Sequence, residues 1–199
     1  MVMDGKVALV TWAGSGVGAA VAHRLDAAGA RVAVLDADST AVERVGADLW
    51  CGMAVRADAS DPAQLASGVD AVVDHYGRLD VLVTTAPWTG PCTELSTVDI
   101  DDERWHATLG AGLDATFYAT RAALRVMRSG VLVAVTAQCT HALHRSVLAG
   151  GVDALVQAVA KEAAPLGLRV HAVTTACPPD LAEAAERVHD LVADAPGRP

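Results

Sequence analysis

Gly14, Gly16 and Gly18 alternate with Ser15 and Val17 near the start of the chain, a spacing suited to one piece of chemistry. Such glycines let a backbone approach a diphosphate closely. A helix opening at the same place offers unpaired N–H groups and the positive end of its dipole. The context suits that role. Val7-Ala8-Leu9-Val10 reads as a buried strand, and Val17, Ala20, Val21 and Leu25 recur at helical spacing. Trp12 is discordant, standing where the tightest part of such a turn usually needs glycine. A second capable group lies far along the chain. His141 and His144 can move protons near neutral pH, and Arg145 can hold an anionic or enolate oxygen. With Cys139 they also spell Cys-x-His-x-x-His. No fourth ligand or nearby carboxylate completes a metal set, so no metal site is expected.

The elements that must position these groups alternate almost to the end of the chain. Short Val-rich runs predict strands over 6–11, 31–35, 53–57, 79–85, 131–137 and 168–174. Longer periodic segments predict helices over 16–28, 39–49, 62–76, 101–128, 145–164 and 180–193. That rhythm implies βαβ units and an α/β doubly wound parallel sheet with helices on both faces, in a single domain over 1–199. Asp99, Asp101, Asp102 and Glu103 open the fourth helix, where negative charge offsets the helix dipole; they read as capping chemistry and not as a metal site.

Composition narrows the partners. Of the 199 residues 52% are hydrophobic and only 4% aromatic, as suits buried strands under small-residue helices. A net charge of −9 without a basic patch argues against nucleic acid or an anionic membrane. No apolar run approaches the roughly 18 residues that span a bilayer. Met1-Val2-Met3-Asp4-Gly5-Lys6 lacks the pattern of an export signal, so a cytoplasmic location is expected. In that setting Cys51, Cys92, Cys139 and Cys177 are expected to be reduced.

Further segments extend the glycine turn into a longer pattern. Asp36 closes Val32-Ala33-Val34-Leu35-Asp36, and Asp58 sits in Arg56-Ala57-Asp58-Ala59-Ser60-Asp61. Glu103-Arg104-Trp105 begins the long fourth helix, and Ala160 to Val170 reads AKEAAPLGLRV. In this order, and across essentially the whole chain, these segments resemble the short-chain dehydrogenase/reductase family with its TGxxxGxG and AKELAPxGIRV. The resemblance implies a nucleotide site in which Gly14, Ser15, Gly16 and Gly18 surround a pyrophosphate. Asp36 would hold the adenosine ribose of NAD, and Asp58 would lie beside the adenine.

The same resemblance exposes what is missing. Gly112 occupies the place of the family's helix Asn, Ala137 that of its catalytic Ser, and Arg145 and Ala149 those of its Tyr and Lys. A Tyr phenol donates the proton as hydride moves and needs the Lys ammonium to lower its pKa. Arg145 stays protonated and cannot serve as that acid. Thr136, one residue before Ala137, belongs to the opposite face of its strand. The family's NNAG and PG segments are Thr84-Thr85-Ala86-Pro87 and Thr175-Ala176, and Pro87 removes a backbone donor. Retained glycines and aspartates also have a plainer use, in helix–strand packing and turn capping.

Three function readings follow. The first is a catalytically inactive homologue serving as a structural or regulatory subunit. Its partner would be a paralogous subunit or a second copy, met through the fourth and fifth predicted helices (101–128 and 145–164), which in the family pair as a four-helix bundle. No cofactor is expected; NAD, if any, binds weakly, and NADP worse, because Asp36 would repel a 2′-phosphate. The alternative is a non-redox isomerase, cyclase or dehydratase using His141, His144 and Arg145. The third is an NAD-dependent oxidoreductase with displaced catalytic groups. The family normally continues past the point where this sequence stops, so its last strand and helix are expected to be missing, with the sixth strand left at the sheet edge.

Overall fold

Runs of Val, Leu and Ala that are apolar on both sides can only be strands with helices on either face, and they assemble into one sheet. The computed structural model describes residues 3–87, 97–139 and 141–194. Its strands are β1 (Val7–Thr11), β2 (Arg31–Asp36), β3 (Met53–Arg56), β4 (Val81–Thr85), β5 (Gly130–Ala137) and β6 (Leu168–Thr175). They lie in the order β3-β2-β1-β4-β5-β6, and every pairing is parallel. The doubly wound sheet expected from the alternation is therefore observed, and β6 forms one edge.

The helices are α1 (Gly16–Ala27), α2 (Ser39–Asp48), α3 (Pro62–Tyr76), α4 (Asp102–Leu109), α5 (Ala115–Val126), α6 (Leu143–Ala163) and α7 (Leu181–Ala193). The helix expected over 101–128 is interrupted by a π-turn at Gly110–Asp114. Two glycines in five residues weaken the α pattern there, and such turns concentrate at functional positions. Local chemistry sets the starts of other helices. Asp38 accepts from Ala41 N–H, Asp61 from Ala63 and Gln64, Asp101 from Arg104, and Asp180 from Ala182 and Glu183. Asp101 thus caps α4, as expected of the acidic run.

Alternate residues of the strands feed opposite cores. Val131, Val133 and Val135 of β5 belong to the core on the α1, α2 and α7 side of the sheet, whereas Leu132 and Ala134 belong to those on the α5 and α6 side. The predicted strand over 79–85 begins later, at Val81. Asp80 instead turns its buried carboxylate to the Val7 N–H and to Arg78, tying the start of β4 to β1.

One expectation needs correction. Cys177 is disulfide-bonded, while Cys51 and Cys139 remain thiols and Cys92 lies outside the described residues. Widely spaced cysteines carry no pairing signal in sequence, so only the fold reveals the bond.

Candidate functional site

Reversal of strand order between β1 and β4 opens a crevice at the carboxyl ends of the strands, the usual ligand position in such sheets. A cleft of about 890 Å³ occupies it. Small-molecule sites fall between about 300 and 1,000 Å³, so its size suits a ligand.

The glycine turn forms one end. Trp12 has φ +50°, the left-handed conformation that glycine adopts without cost. The backbone therefore follows a glycine turn while carrying an indole that lines the cleft. Gly18 is committed to packing, because a Cβ there would lie 2.9 Å from Ala13 Cα and collide with the Trp12 carbonyl. Gly14 lies similarly close to Ala41 and Asp36. Gly16 differs: it has φ +58° and open space where a Cβ would be. Ser15 and Gly16 are exposed, and Ser15 makes no side-chain cap to α1. The residues at the start of α1 thus fit a diphosphate.

Both aspartates have structural partners. Asp36 Oδ2 accepts from Gly14 N–H at 2.9 Å and Oδ1 from Asp38 N–H at 3.0 Å. Asp58 Oδ1 accepts from the Ser60 backbone N–H at 2.8 Å and its hydroxyl at 2.6 Å. These contacts are the turn-capping use that the sequence left open. Arg44 donates to the Gly14 carbonyl at 3.1 Å, adding a cation beside the turn.

At the other end, the positions that resemble the family's proton relay carry no acid. Ala137 ends β5 on the cleft, and Thr136 also lines it despite its opposite parity along the strand, mostly buried and with an unpartnered Oγ1. Gly112 sits in the π-turn, where a Cβ would lie 2.5 Å from Leu148 Cδ1. Leu148 therefore fills the space a larger side chain would need. Ala149 is buried, and Arg145 lines the cleft. Pro87 lines it too, while Thr85 is latched to β1 through its N–H to Thr11 Oγ1 at 3.3 Å and its Oγ1 to the Thr11 carbonyl at 2.8 Å. Thr175 Oγ1 donates to the Thr136 carbonyl at 3.2 Å. A diphosphate fits this crevice; the hydride-transfer end holds no hydroxyl–ammonium pair at the positions named.

Of the three acid–base candidates, the structure brings two together. His144 and Arg145 line the cleft, and His144 is 6% exposed. His141 is exposed and outside the cleft lining, which corrects its place in that trio. It precedes α6, whereas His144 and Arg145 are on the helix. Cys139, His141 and His144 do not form a metal-binding group among the described residues; Glu186, His189 and Asp190 on α7 are the group that comes close, with Arg24 donating to both Glu186 and His189.

Sequence reasoning missed Arg104 and Leu148. The available signal was helical spacing: Leu148 lies one turn after His144 on α6, and Arg104 lies one turn before the cleft-lining Thr108 on α4.

Burial holds the His144 pKa below its ordinary value, and the positive charges of Arg145 and Arg104 lower it further. Because the folded value lies below the unfolded one, the unfolded chain binds more protons between them. This contribution to stability is complete above the ordinary value near 6.5 and is lost as pH falls below it. An NMR titration of the ring should place the His144 midpoint below that of an unfolded peptide. A midpoint at or above it would contradict the burial. His171 is shifted the same way, by burial and then Arg169, so ring-specific assignment is required.

Comparison with known proteins agrees with this architecture. Residues 12–192 match the family model described as Enoyl-(Acyl carrier protein) reductase. A (5R,7aS)-5-hydroxy-7a-methyl-1-oxo-2,3,5,6,7,7a-hexahydro-1H-indene-carboxyl-CoA reductase of Mycobacterium tuberculosis is 35% identical over 187 residues, covering 86% of this chain and 70% of the relative. A short chain dehydrogenase from Mycobacterium smegmatis superposes with a TM-score of 0.89 at 30% identity, covering 97% of this chain and 88% of that one. A 3-ketoacyl-(acyl-carrier-protein) reductase from Brucella melitensis, solved with NADH, gives 0.82 at 26% identity over 91% of this chain and 79% of that one. Among the described residues no helix is long and apolar enough to cross a membrane.

Proposed function

This chain belongs to the short-chain dehydrogenase/reductase family, an oxidoreductase family, and from that premise we propose that it works without hydride transfer, as a binding or structural subunit. One observation carries the reading. All four positions that resemble the family's proton-relay residues hold groups unable to do that chemistry: Gly112, Ala137, Arg145 and Ala149. Leu148 occupies the space beside Gly112, so an amide at position 112 would require that side chain to shift.

The partner is an intact relative or a second copy, met through α4–α5 and α6. Phe117 on α5 and Leu143 and Val147 on α6 are large apolar residues left exposed. Gly150, Ala154 and Ala158 continue an exposed small-residue stripe along α6 that would let another helix approach. Expression alone and together with an intact family member tests this pairing. Co-purification with the relative, or a stable homodimer, is expected; a soluble monomer that never associates would overturn it.

NAD(H) binding is weak in this reading, and NADP(H) binding weaker. Ser15 and Gly16 would hold a diphosphate at the start of α1, and a bound nicotinamide would supply hydride. Asp36 already accepts two backbone N–H groups, and Pro87 offers no donor. The Trp12 indole crowds the turn. Trp12→Gly keeps the backbone path, because glycine accepts φ +50°, and is expected to raise NADH affinity about tenfold, roughly 1.4 kcal/mol. Titration calorimetry on both proteins checks this, and equal affinities would shift the obstruction to Pro87.

The cleft position of His144 favours a second reading, non-redox proton transfer. A buried imidazole held neutral at pH 7 can accept a proton while Arg145 steadies an anionic oxygen. His144→Ala and Arg145→Ala would then abolish turnover of the natural substrate while leaving the fold intact.

A further inference from the structure

The chemistry of the remodelled cleft extends to the class of molecule it holds. Its floor offers apolar side chains, Val135 and Ala137 at the end of β5, Leu148 from α6 and the Trp12 indole, beside the threonines Thr85, Thr136 and Thr175. Its rim, where α4 and α6 pack side by side, carries charges of both signs: Asp101, Glu103 and Arg104 at the start of α4 and Arg145 on α6 all line it. We propose that the cleft binds an amphipathic carboxylate, with the acid at Arg104 and the apolar body over Leu148 and Trp12.

Several charged groups share this rim. Asp101 is occupied as the cap of α4, its Oδ1 accepting the Arg104 backbone N–H at 2.7 Å. Glu103 is exposed on the first turn of the same helix. Neither carboxylate forms an ion pair with the Arg104 guanidinium, so a ligand carboxylate can take that position. Besides burial, the guanidiniums of Arg145 and Arg104 are what lowers the His144 pKa, so both reach the cleft beside that ring. His144 stays neutral there and does not compete for the acid. A guanidinium offers two parallel donors to a carboxylate, and an apolar pocket with a few convergent polar groups is the usual form of a small-molecule site.

This inference rests on the reading of the cleft as a ligand site free of hydride chemistry. Calorimetry with the full chain compares three probes: octanoate, its neutral analogue 1-octanol, and acetate, which lacks the apolar body. Octanoate should bind saturably and at least fivefold more tightly than either of the others. Arg104→Gln should weaken octanoate at least fivefold, whereas Glu103→Gln on the same turn should not weaken it. Arg104 is exposed, so its replacement does not threaten the core. Absence of octanoate binding, binding of 1-octanol within fivefold, or a smaller effect of Arg104→Gln would each overturn the proposal. NADH-dependent turnover with octanoate binding as stated would overturn the subunit reading and leave the carboxylate site standing.

Discussion

Gly18→Ala is expected to destabilise the fold by about 3 kcal/mol, the upper part of the usual range for forcing atoms into a packed site. The added methyl would collide with the Trp12 carbonyl and crowd Ala13 Cα, and neither backbone group can rotate away. Relief requires α1 to lift from β1, which would uncover Val21 and Leu25, both fully buried. Urea unfolding monitored by circular dichroism reads the effect as a lower midpoint with an unchanged slope. A change under 1 kcal/mol would mean that α1 is not seated as described. The consequence for function is direct. Gly18 is required for packing whether or not a nucleotide ever binds, so its presence is not evidence for a working cofactor site. Gly16 differs: its left-handed φ, and not packing, calls for glycine there, and the space beside it is open.

The second large effect concerns rate. Positioned general acid–base groups contribute about 10² to 10⁴ in turnover, and the positions that resemble the family's acid and its tuning cation hold Arg145 and Ala149 instead. Its carbonyl reduction by NADH is expected to be at least about 10⁴-fold slower than that of an intact family member, roughly 5.5 kcal/mol in barrier height. Single reversions should not recover the activity. A Tyr at position 145 would lack its ammonium at 149, and an Asn at position 112 would meet Leu148. Recovery would need at least those changes together with a hydroxyl at 137 and a new rotamer of Leu148.

Much of this was legible from residue pattern. Continuous Val-rich runs such as Val7-Ala8-Leu9-Val10 announced buried parallel strands, and the six expected strands appear in a doubly wound order. The discord at Trp12 was legible as well, although only coordinates reveal that its backbone kept the left-handed path. The interruption of α4–α5 was not: Gly110 and Gly112 signal a weak helix, but residue pattern does not distinguish a π-turn from a continuous α-helix. Arg104 escaped notice because its neighbours Glu103 and Trp105 carried the family pattern, and which helical face meets a cleft depends on tertiary packing. Nearness in sequence grouped His141 with His144, but His141 precedes α6 and lies outside the cleft lining. The Cys177 disulfide left no trace in spacing.

The most direct test of the central claim is NADH consumption by the purified chain at pH 7, across a panel of ketones, aldehydes and 3-ketoacyl thioesters. An intact short-chain dehydrogenase/reductase assayed in parallel serves as the positive control. The account predicts that this chain shows no rate above the protein-free baseline while the control turns over. Saturable, substrate-dependent NADH oxidation by this chain, abolished by His144→Ala, would contradict it and establish displaced catalytic groups in the cleft.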